Sequence, residues 1–203
     1  GVYGSEFDVH ITVDGVVMIN HDRTLPDGIN IEKTTFKKIK KETLSNGEKL
    51  PTFKQYLHAG KKLKGTQLIC EIKAHITNEG EDRCIDSVLK DVKKENMENQ
   101  VEYISFSKNA CQYLAQHAPT GTKISYLSND LSPDQCKALG CTGIDFDETT
   151  YAKHPTYISD AHKLNMEVNV WTVDDLNQIN EFIKAGVDFI TTNKPVEALK
   201  LCK

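Results

Sequence analysis

From residue 51 onward, the chain alternates between short apolar runs and amphipathic segments. The amphipathic segments have apolar residues three or four positions apart, whereas the apolar runs lie near residues 68, 101, 123, 143, 168 and 188. The first spacing is typical of helices, and short continuous apolar runs are typical of buried strands. Strict alternation of the two predicts an α/β fold with a parallel sheet that is covered on both faces.

The number of strands limits the architectures that this pattern allows. A further strand near residue 5 brings the count of parallel strands to seven, and a closed (β/α)8 barrel needs eight. Seven would leave an edge with unpaired backbone groups. We therefore predict a TIM (β/α)8 barrel whose first strand and helix are missing from this sequence. An open, doubly wound sheet is the alternative, but no glycine-rich dinucleotide loop follows any strand.

Composition limits the domain number and the classes of partner. The 203 residues, 38% of them hydrophobic, are enough for one well-buried core, so we predict a single domain over residues 1–203. The net charge of −4 argues against a nucleic-acid partner. No apolar run approaches the ~20 residues of a membrane-spanning helix. The chain begins with Gly1, so we expect that something upstream has been removed.

Local patterns predict some further features. The six cysteines have no CxxC spacing, and we interpret them as buried small hydrophobes. Ser132 to Gln135 has the pattern of a capping box with proline at the first helical position. A helix from Asp174 is expected to place Leu176 and Ile179 inward and to end at Gly186. A polar, lysine-rich insertion is expected at about residues 23–50, as a solvated surface segment.

The segment GSEFDVHITVDGVVMINHD predicts a hairpin over residues 6–21. Asp14-Gly15 is a strong signal for a two-residue turn. In that register Asp8 faces His21, and Glu6 shares the face of Asp8 because strand side chains alternate. Two carboxylates and an imidazole would then converge, which suits a divalent metal beside a proton-transfer group. An exposed hairpin face with polar residues is the alternative.

A third carboxylate is expected at the same place. Glu71 and Lys73 end the buried run QLICEIK, and charged groups in such a strand are costly unless paired or functional. The carboxyl ends of barrel strands face the reaction site. Glu6, Asp8 and Glu71 would supply oxygen ligands for one Ca²⁺ or Mg²⁺, and Lys73 a cation for phosphate. The alternative is a structural ion pair between Glu71 and Lys73.

At these residues the chain resembles the glycerophosphodiester phosphodiesterases, relatives of the phosphoinositide-specific phospholipases C. The resemblance implies a TIM barrel that hydrolyses glycerophosphodiesters to sn-glycerol 3-phosphate and an alcohol. The matching blocks extend over nearly the whole chain: SEFDVHITVDGVVMINHD, PTFKQYL, CEIK, YISFS, NVWTVDD and GVDFITTNKP.

The resemblance implies a role for each matching residue. Glu6, Asp8 and Glu71 match the metal carboxylates, and His21 matches one of two catalytic histidines. Lys73 matches the phosphate-binding lysine of the catalytic site. Trp171 matches an aromatic residue near the glycerol end of the substrate. The family's first strand ends in His-Arg-Gly, which carries the other acid-base histidine, and this motif does not occur here.

Several alternatives stay open at this point. One is a lysophospholipase D or a phosphoinositide-type phospholipase, and another is a non-catalytic relative that binds metal and phosphate without turnover. The expected partner is a small-molecule glycerophosphodiester, without nucleic acid or an integral membrane segment. Relatives that scavenge glycerophosphodiesters favour a periplasmic or secreted location over a cytoplasmic one. His10 and His75 are interpreted as polar wall positions, and Asp22 as a group that could orient His21 or contact the loop.

Overall fold

The computed structural model describes residues 1–202 and contains the predicted alternation of strands and helices. Its eight strands are β1 Gly4–Ile11, β2 Val17–Ile19, β3 Gln67–Ile72, β4 Val101–Ser105, β5 Ile124–Tyr126, β6 Gly143–Asp147, β7 Glu167–Trp171 and β8 Phe189–Ile190. Its nine α-helices are α1 Phe36–Ile39, α2 Phe53–Gly60, α3 Asn78–Glu95, α4 Lys108–His117, α5 Pro133–Leu139, α6 Glu148–Lys153, α7 Tyr157–Lys163, α8 Leu176–Ala185 and α9 Pro195–Ala198. All seven predicted parallel-strand positions contain a strand.

Two compact units contain these elements. The first consists mainly of Tyr3–Tyr103 with Gln116–Thr122, and its strand order is β2-β1-β3-β4. The second consists mainly of Ile104–Ala115 and the chain from Lys123 onward, with the order β5-β6-β7-β8. The strands β1 and β3 pair in parallel, as do β5 with β6, β6 with β7, and β7 with β8. A single domain over residues 1–203 stays a prediction.

The hairpin forms, but its turn and register differ from the prediction. The N–H of Thr12 donates to Val16 O at 2.9 Å, and the N–H of Gly15 donates to Thr12 O at 3.0 Å, so the loop has three residues. Gly15 has a φ of +85°, which is typical of such loops. The extra loop residue shifts the register by one, so that His10 pairs with Met18 instead of Ile19. The predicted pairing of Asp8 with His21 is therefore wrong.

The insertion after the hairpin is more than a solvated surface segment. Leu25, Ile31, Ile39 and Leu50 are buried and pack together with Met18 of β2. A short 3-10 helix, Ile31–Lys33, lies within it. Its lysines remain exposed while its apolar residues form a small core of their own. The polar composition therefore gave no indication of this folded layer beside the hairpin.

The helix boundaries follow the predicted signals, but the burial of Leu176 and Cys202 differs from the prediction. Ser132 caps α5 with both bonds of the capping box, and α5 and α8 end at Gly140 and Gly186 in left-handed conformation. Leu176 is exposed rather than inward-facing, and α8 begins after Asp175, one residue later than expected. Five cysteines are buried as predicted, but Cys202 is exposed near the chain end. Helix α6, capped by Asp147, was not predicted.

We expect Gly15→Ala to lower the free energy of unfolding by about 1 kcal/mol, because a Cβ is strained at positive φ. Urea denaturation measures this change. Val13→Ala removes an exposed side chain from the same loop and should change it by less than about 0.5 kcal/mol. Equal effects of the two substitutions would contradict a left-handed Gly15.

In the second unit, Asp130 joins β5 to the start of α4. The hydroxyl of Tyr126 donates a hydrogen bond to Asp130 Oδ1 at 2.7 Å, and Lys108 Nζ lies 2.6 Å from Asp130 Oδ2. The hydrogen bond from Lys108, with that from Tyr126, lowers the pKa of Asp130 to about 2. The carboxylate therefore stabilises the fold above its unfolded pKa near 3.8, and this contribution is lost as the pH falls toward about 2.

We expect Asp130→Asn to be less stable than the wild type at pH 6, with a difference that shrinks as the pH falls from 4 to 2. The free energy of unfolding, measured by urea denaturation across this range, tests the prediction. Lys108→Met removes the first donor and should weaken the same pH dependence. A stability difference that does not vary with pH would contradict the assigned role of the carboxylate.

Candidate active site

Strand pairing brings three carboxylates together in the first unit. Asp8 of β1 lies directly opposite Glu71 of β3, and Glu6 precedes Asp8 by two residues on the same face. One oxygen from each of the three side chains lies within 4.8 Å of the others. Glu71 and Asp8 are nearly buried, whereas Glu6 is exposed, so the cluster opens to solvent on one side.

The donor set fits a hard divalent cation. Oxygens on opposite sides of one Ca²⁺ lie about 4.8 Å apart, because each bond is about 2.4 Å, and the cluster falls within that limit. Burial raises the pKa of Glu71 and the charge of Asp8 adds to the effect, whereas Lys73 opposes it. A cation would favour the ionised form of all three carboxylates. The residues present can thus hold one divalent ion, as expected.

Lys73 lies against the same carboxylates. Its Nζ is 2.8 Å from Glu71 Oε1 and 3.2 Å from Asp8 Oδ1, immediately after the end of β3. Burial disfavours the ammonium form, but the hydrogen bonds and charges of Glu71 and Asp8 outweigh this and raise the pKa of Lys73. The ammonium group is therefore a fixed positive charge at the edge of the carboxylate cluster.

His21 lies near this region by chain position, but its side chain points into solvent. Its Nδ1 is 2.8 Å from Asp22 Oδ1, and 76% of the side chain is exposed. The backbone N–H of the preceding Asn20 donates to Asp8 O at 3.1 Å, so the shifted register places Asn20 opposite Asp8. Strand pairing therefore does not bring His21 opposite Asp8, and the convergence predicted from that pairing is wrong.

A second polar cluster was not recognised in the sequence. His10 of β1, Glu32 of the insertion and His75 after β3 also place donor atoms within 4.8 Å of one another. Burial lowers the pKa of His10 to about 4, and burial also lowers the pKa of His75. The hints in the sequence were the strand faces that His10 shares with Asp8 and His75 shares with Lys73. Nothing in the lysine-rich composition around Glu32 indicated a buried acid.

In the second unit, Trp171 is the last residue of β7. Its indole N–H donates to Asp145 O at 2.8 Å, and its ring packs edge-on against Phe106, with centroids 5.5 Å apart. Phe106, directly after β4, is 40% exposed and was not singled out as a candidate. The two rings provide an aromatic surface at the carboxyl ends of their strands.

Comparison with known proteins identifies the family. The model of the Glycerophosphoryl diester phosphodiesterase family matches residues 1–197, nearly the whole chain. This chain belongs to the glycerophosphoryl diester phosphodiesterase family. It is therefore assigned to a family of phosphoric diester hydrolases, which confirms the resemblance predicted from the motifs and the predicted class of enzyme.

Individual members of the glycerophosphoryl diester phosphodiesterase family agree with the assignment. A glycerophosphodiester phosphodiesterase from Parabacteroides distasonis, known from its crystal structure, is 42% identical, with a TM-score of 0.94 over 98% of this chain and 83% of its own. A glycerophosphodiester phosphodiesterase from Caldanaerobacter subterraneus subsp. tengcongensis is 27% identical over 100% of this chain and 87% of its own. The predicted TIM-barrel fold is confirmed. Among the described residues, no helix has the length and apolar composition of a membrane-spanning segment.

We expect Glu71→Gln to weaken binding of Ca²⁺ or Mg²⁺ by at least about tenfold, because it removes one charged ligand from the cluster. Isothermal titration calorimetry of each ion measures the affinity. Glu181→Gln, which neutralises an exposed carboxylate on α8, is the matched control and should leave the affinity unchanged. Equal affinities of the two variants would exclude Glu71 as a metal ligand.

Proposed function

We propose that this protein hydrolyses glycerophosphodiesters to sn-glycerol 3-phosphate and an alcohol, with one Ca²⁺ or Mg²⁺ and acid–base catalysis by histidine. The observation that carries the proposal is the cluster of Glu6, Asp8 and Glu71 with Lys73 at its edge. A phosphodiesterase of the same fold from Oleispira antarctica, 19% identical, was solved with the product sn-glycerol-3-phosphate, which supports a small phosphorylated ligand.

Each group of the cluster has a distinct role in this proposal. A bound divalent ion would polarise a phosphoryl oxygen and offset developing negative charge. Glu6, Asp8 and Glu71 would hold it through their oxygens. Lys73 Nζ, held by Glu71 and Asp8, would bind a phosphate oxygen as a point charge. Because the ammonium group is already positioned, little reorganisation is needed when the transferring phosphate gains charge.

His21 is proposed as one acid–base group. The carboxylate of Asp22 at 2.8 Å fixes the ring through Nδ1 and leaves Nε2 available for proton transfer. The exposure of the ring agrees with a group that contacts substrate rather than protein. Trp171 is proposed to contact the glycerol moiety through its aromatic ring. Lipid metabolism and glycerol metabolism would be the cellular context of such an enzyme.

The second candidate function is a relative that binds a divalent ion and a phosphate ester without turnover. A natural protein that lacks the His-Arg-Gly motif of the family's first strand would favour it, because that motif carries the second acid–base histidine. A relative without that group would bind a divalent ion and a phosphate ester through the same carboxylates and Lys73 but would not turn the substrate over. Turnover, and not binding, therefore separates an enzyme from a binding protein.

The test is product analysis with the full natural protein and a series of glycerophosphodiesters that differ in alcohol. Release of sn-glycerol 3-phosphate would support the proposal. Choline released from a lysophospholipid would instead identify a lysophospholipase D, and a cyclic inositol phosphate would identify a phosphoinositide-type phospholipase. Saturable binding of glycerophosphocholine with no product at all would establish the non-catalytic alternative.

We expect His21→Ala to lower kcat by about 10² to 10⁴ while the affinity for the divalent ion stays the same, because an acid–base group acts on the reacting atoms and is not a ligand. Steady-state kinetics of sn-glycerol 3-phosphate release give kcat. His58→Ala, an exposed histidine on α2, is the control and should retain full activity. Unchanged kcat in His21→Ala would remove this histidine from the mechanism.

A further inference from the structure

A second set of donor atoms, separate from the three carboxylates, lies in the first unit. His10, Glu32 and His75 each offer one nitrogen or oxygen, and these atoms lie within 4.8 Å of one another. The side chains of His10 and Glu32 are only 2% and 7% exposed. Two imidazoles and one carboxylate are a ligand set that proteins use for zinc, with water as the fourth ligand.

Both ring nitrogens of His10 lie near an oxygen atom. Its Nε2 is 3.4 Å from His21 O and its Nδ1 is 3.5 Å from Glu32 Oε1. Within residues 1–202, Nδ1 forms no hydrogen bond. In its uncharged form an imidazole ring has one N–H, so either tautomer of His10 directs one lone pair at an oxygen atom. The tautomer that donates to His21 leaves the Nδ1 lone pair facing the carboxylate of Glu32, where a cation would relieve the repulsion.

The ring of His75 is fixed with the complementary nitrogen available. Its Nδ1–H donates to Lys73 O at 2.6 Å, so that Nε2 carries the lone pair. Ligating histidines generally donate their other N–H to a backbone carbonyl or carboxylate in this way. At present Nε2 accepts the N–H of Ile11 at 3.2 Å. A metal on Nε2 would replace that single hydrogen bond.

The carboxylate of Glu32 is held from both sides. Arg23 Nε donates to Oε1 at 2.6 Å, and the N–H of Ile76 donates to Oε2 at 2.7 Å. Outer hydrogen bonds of this kind orient ligating carboxylates. The charge of Arg23 also opposes a second cation, so we expect weaker binding than at a site whose carboxylate has only neutral partners.

We propose that His10 Nδ1, Glu32 Oε1 and His75 Nε2 form a binding site for Zn²⁺ or a similar transition-metal ion. Donors on a tetrahedral ion with bonds of about 2.0–2.1 Å lie about 3.3 Å apart, close to the 3.5 Å between His10 and Glu32. Imidazole ligands favour zinc over calcium and magnesium, so this site differs in selectivity from the carboxylate cluster. The ion would join β1, the insertion and the segment after β3.

Co²⁺ is a suitable probe, because a four-coordinate ion with nitrogen ligands absorbs visible light far more strongly than a six-coordinate, oxygen-ligated one. We expect the wild-type protein to develop intense bands with one equivalent of Co²⁺ and to lose them when Zn²⁺ is added. His10→Asn and His75→Asn should weaken this binding by at least about tenfold. Glu71→Gln, which alters only the carboxylate cluster, and His58→Asn should retain the bands.

Zn²⁺ should also raise the melting temperature of the wild-type protein by more than that of His75→Asn, because ligand binding to the folded state stabilises it and the variant keeps only the carboxylate cluster. The proposal is overturned if the wild-type protein shows only weak, six-coordinate cobalt absorption. It is equally overturned if folded His10→Asn and His75→Asn keep the intense bands. The first outcome depends on the wild-type spectrum alone, so the proposal can still be overturned if a variant fails to fold. Neither readout depends on phosphodiesterase activity.

Discussion

The register between β1 and β3 places Asp8 directly opposite Glu71, and this pair of like charges is the constraint on which the surrounding structure depends. Carboxylates opposite each other on neighbouring strands repel, and both are nearly buried. Such a pair requires a positive partner. Lys73 supplies one from the end of β3, and the three carboxylates together have the donors for a divalent ion as well.

The segments around this pair are held in place by contacts that serve the site indirectly. Arg23 donates both to Glu32 and to Ala74 O, so the insertion is tied to the segment that follows Lys73. His10 links the hairpin to the backbone of His21 through a long 3.4 Å contact. Glu32 contacts both Arg23 and His10. One buried network therefore connects the loop with the proposed phosphate-binding Lys73 to the loop with the proposed acid–base His21.

Patterns that depend on neighbouring residues were predictable from the sequence, whereas long-range choices were not. The alternation of strands and helices, the cap at Ser132 and the left-handed Gly186 follow from local chemistry, and the structure contains them. The hairpin register was wrong because Asp14-Gly15 fits both a two-residue and a three-residue loop, and the bond from the Phe36 N–H to Asp14 lies outside the local pattern. A register slip of one residue reverses which side chains face each other.

The residues of the site divide in the same way into those that local patterns predict and those that depend on long-range contacts. That Glu6, Asp8, Glu71 and Lys73 lie together could be predicted because alternation along a strand and position at a strand end are both visible in the sequence. Glu32 was missed because its burial depends on a small core formed by the insertion itself, which its many lysines conceal. Local periodicity therefore predicts the carboxylates on β1 and β3 but not the buried Glu32 of the insertion.

Anomalous diffraction from crystals grown with Mn²⁺ and glycerol 3-phosphate tests the central claim most directly, because it locates the ion and the phosphate independently of turnover. The account predicts an anomalous peak bounded by oxygens of Glu6, Asp8 and Glu71, with a phosphate oxygen in contact with both the ion and Lys73 Nζ. A phosphate bound elsewhere, with no ion among these three carboxylates, would contradict it.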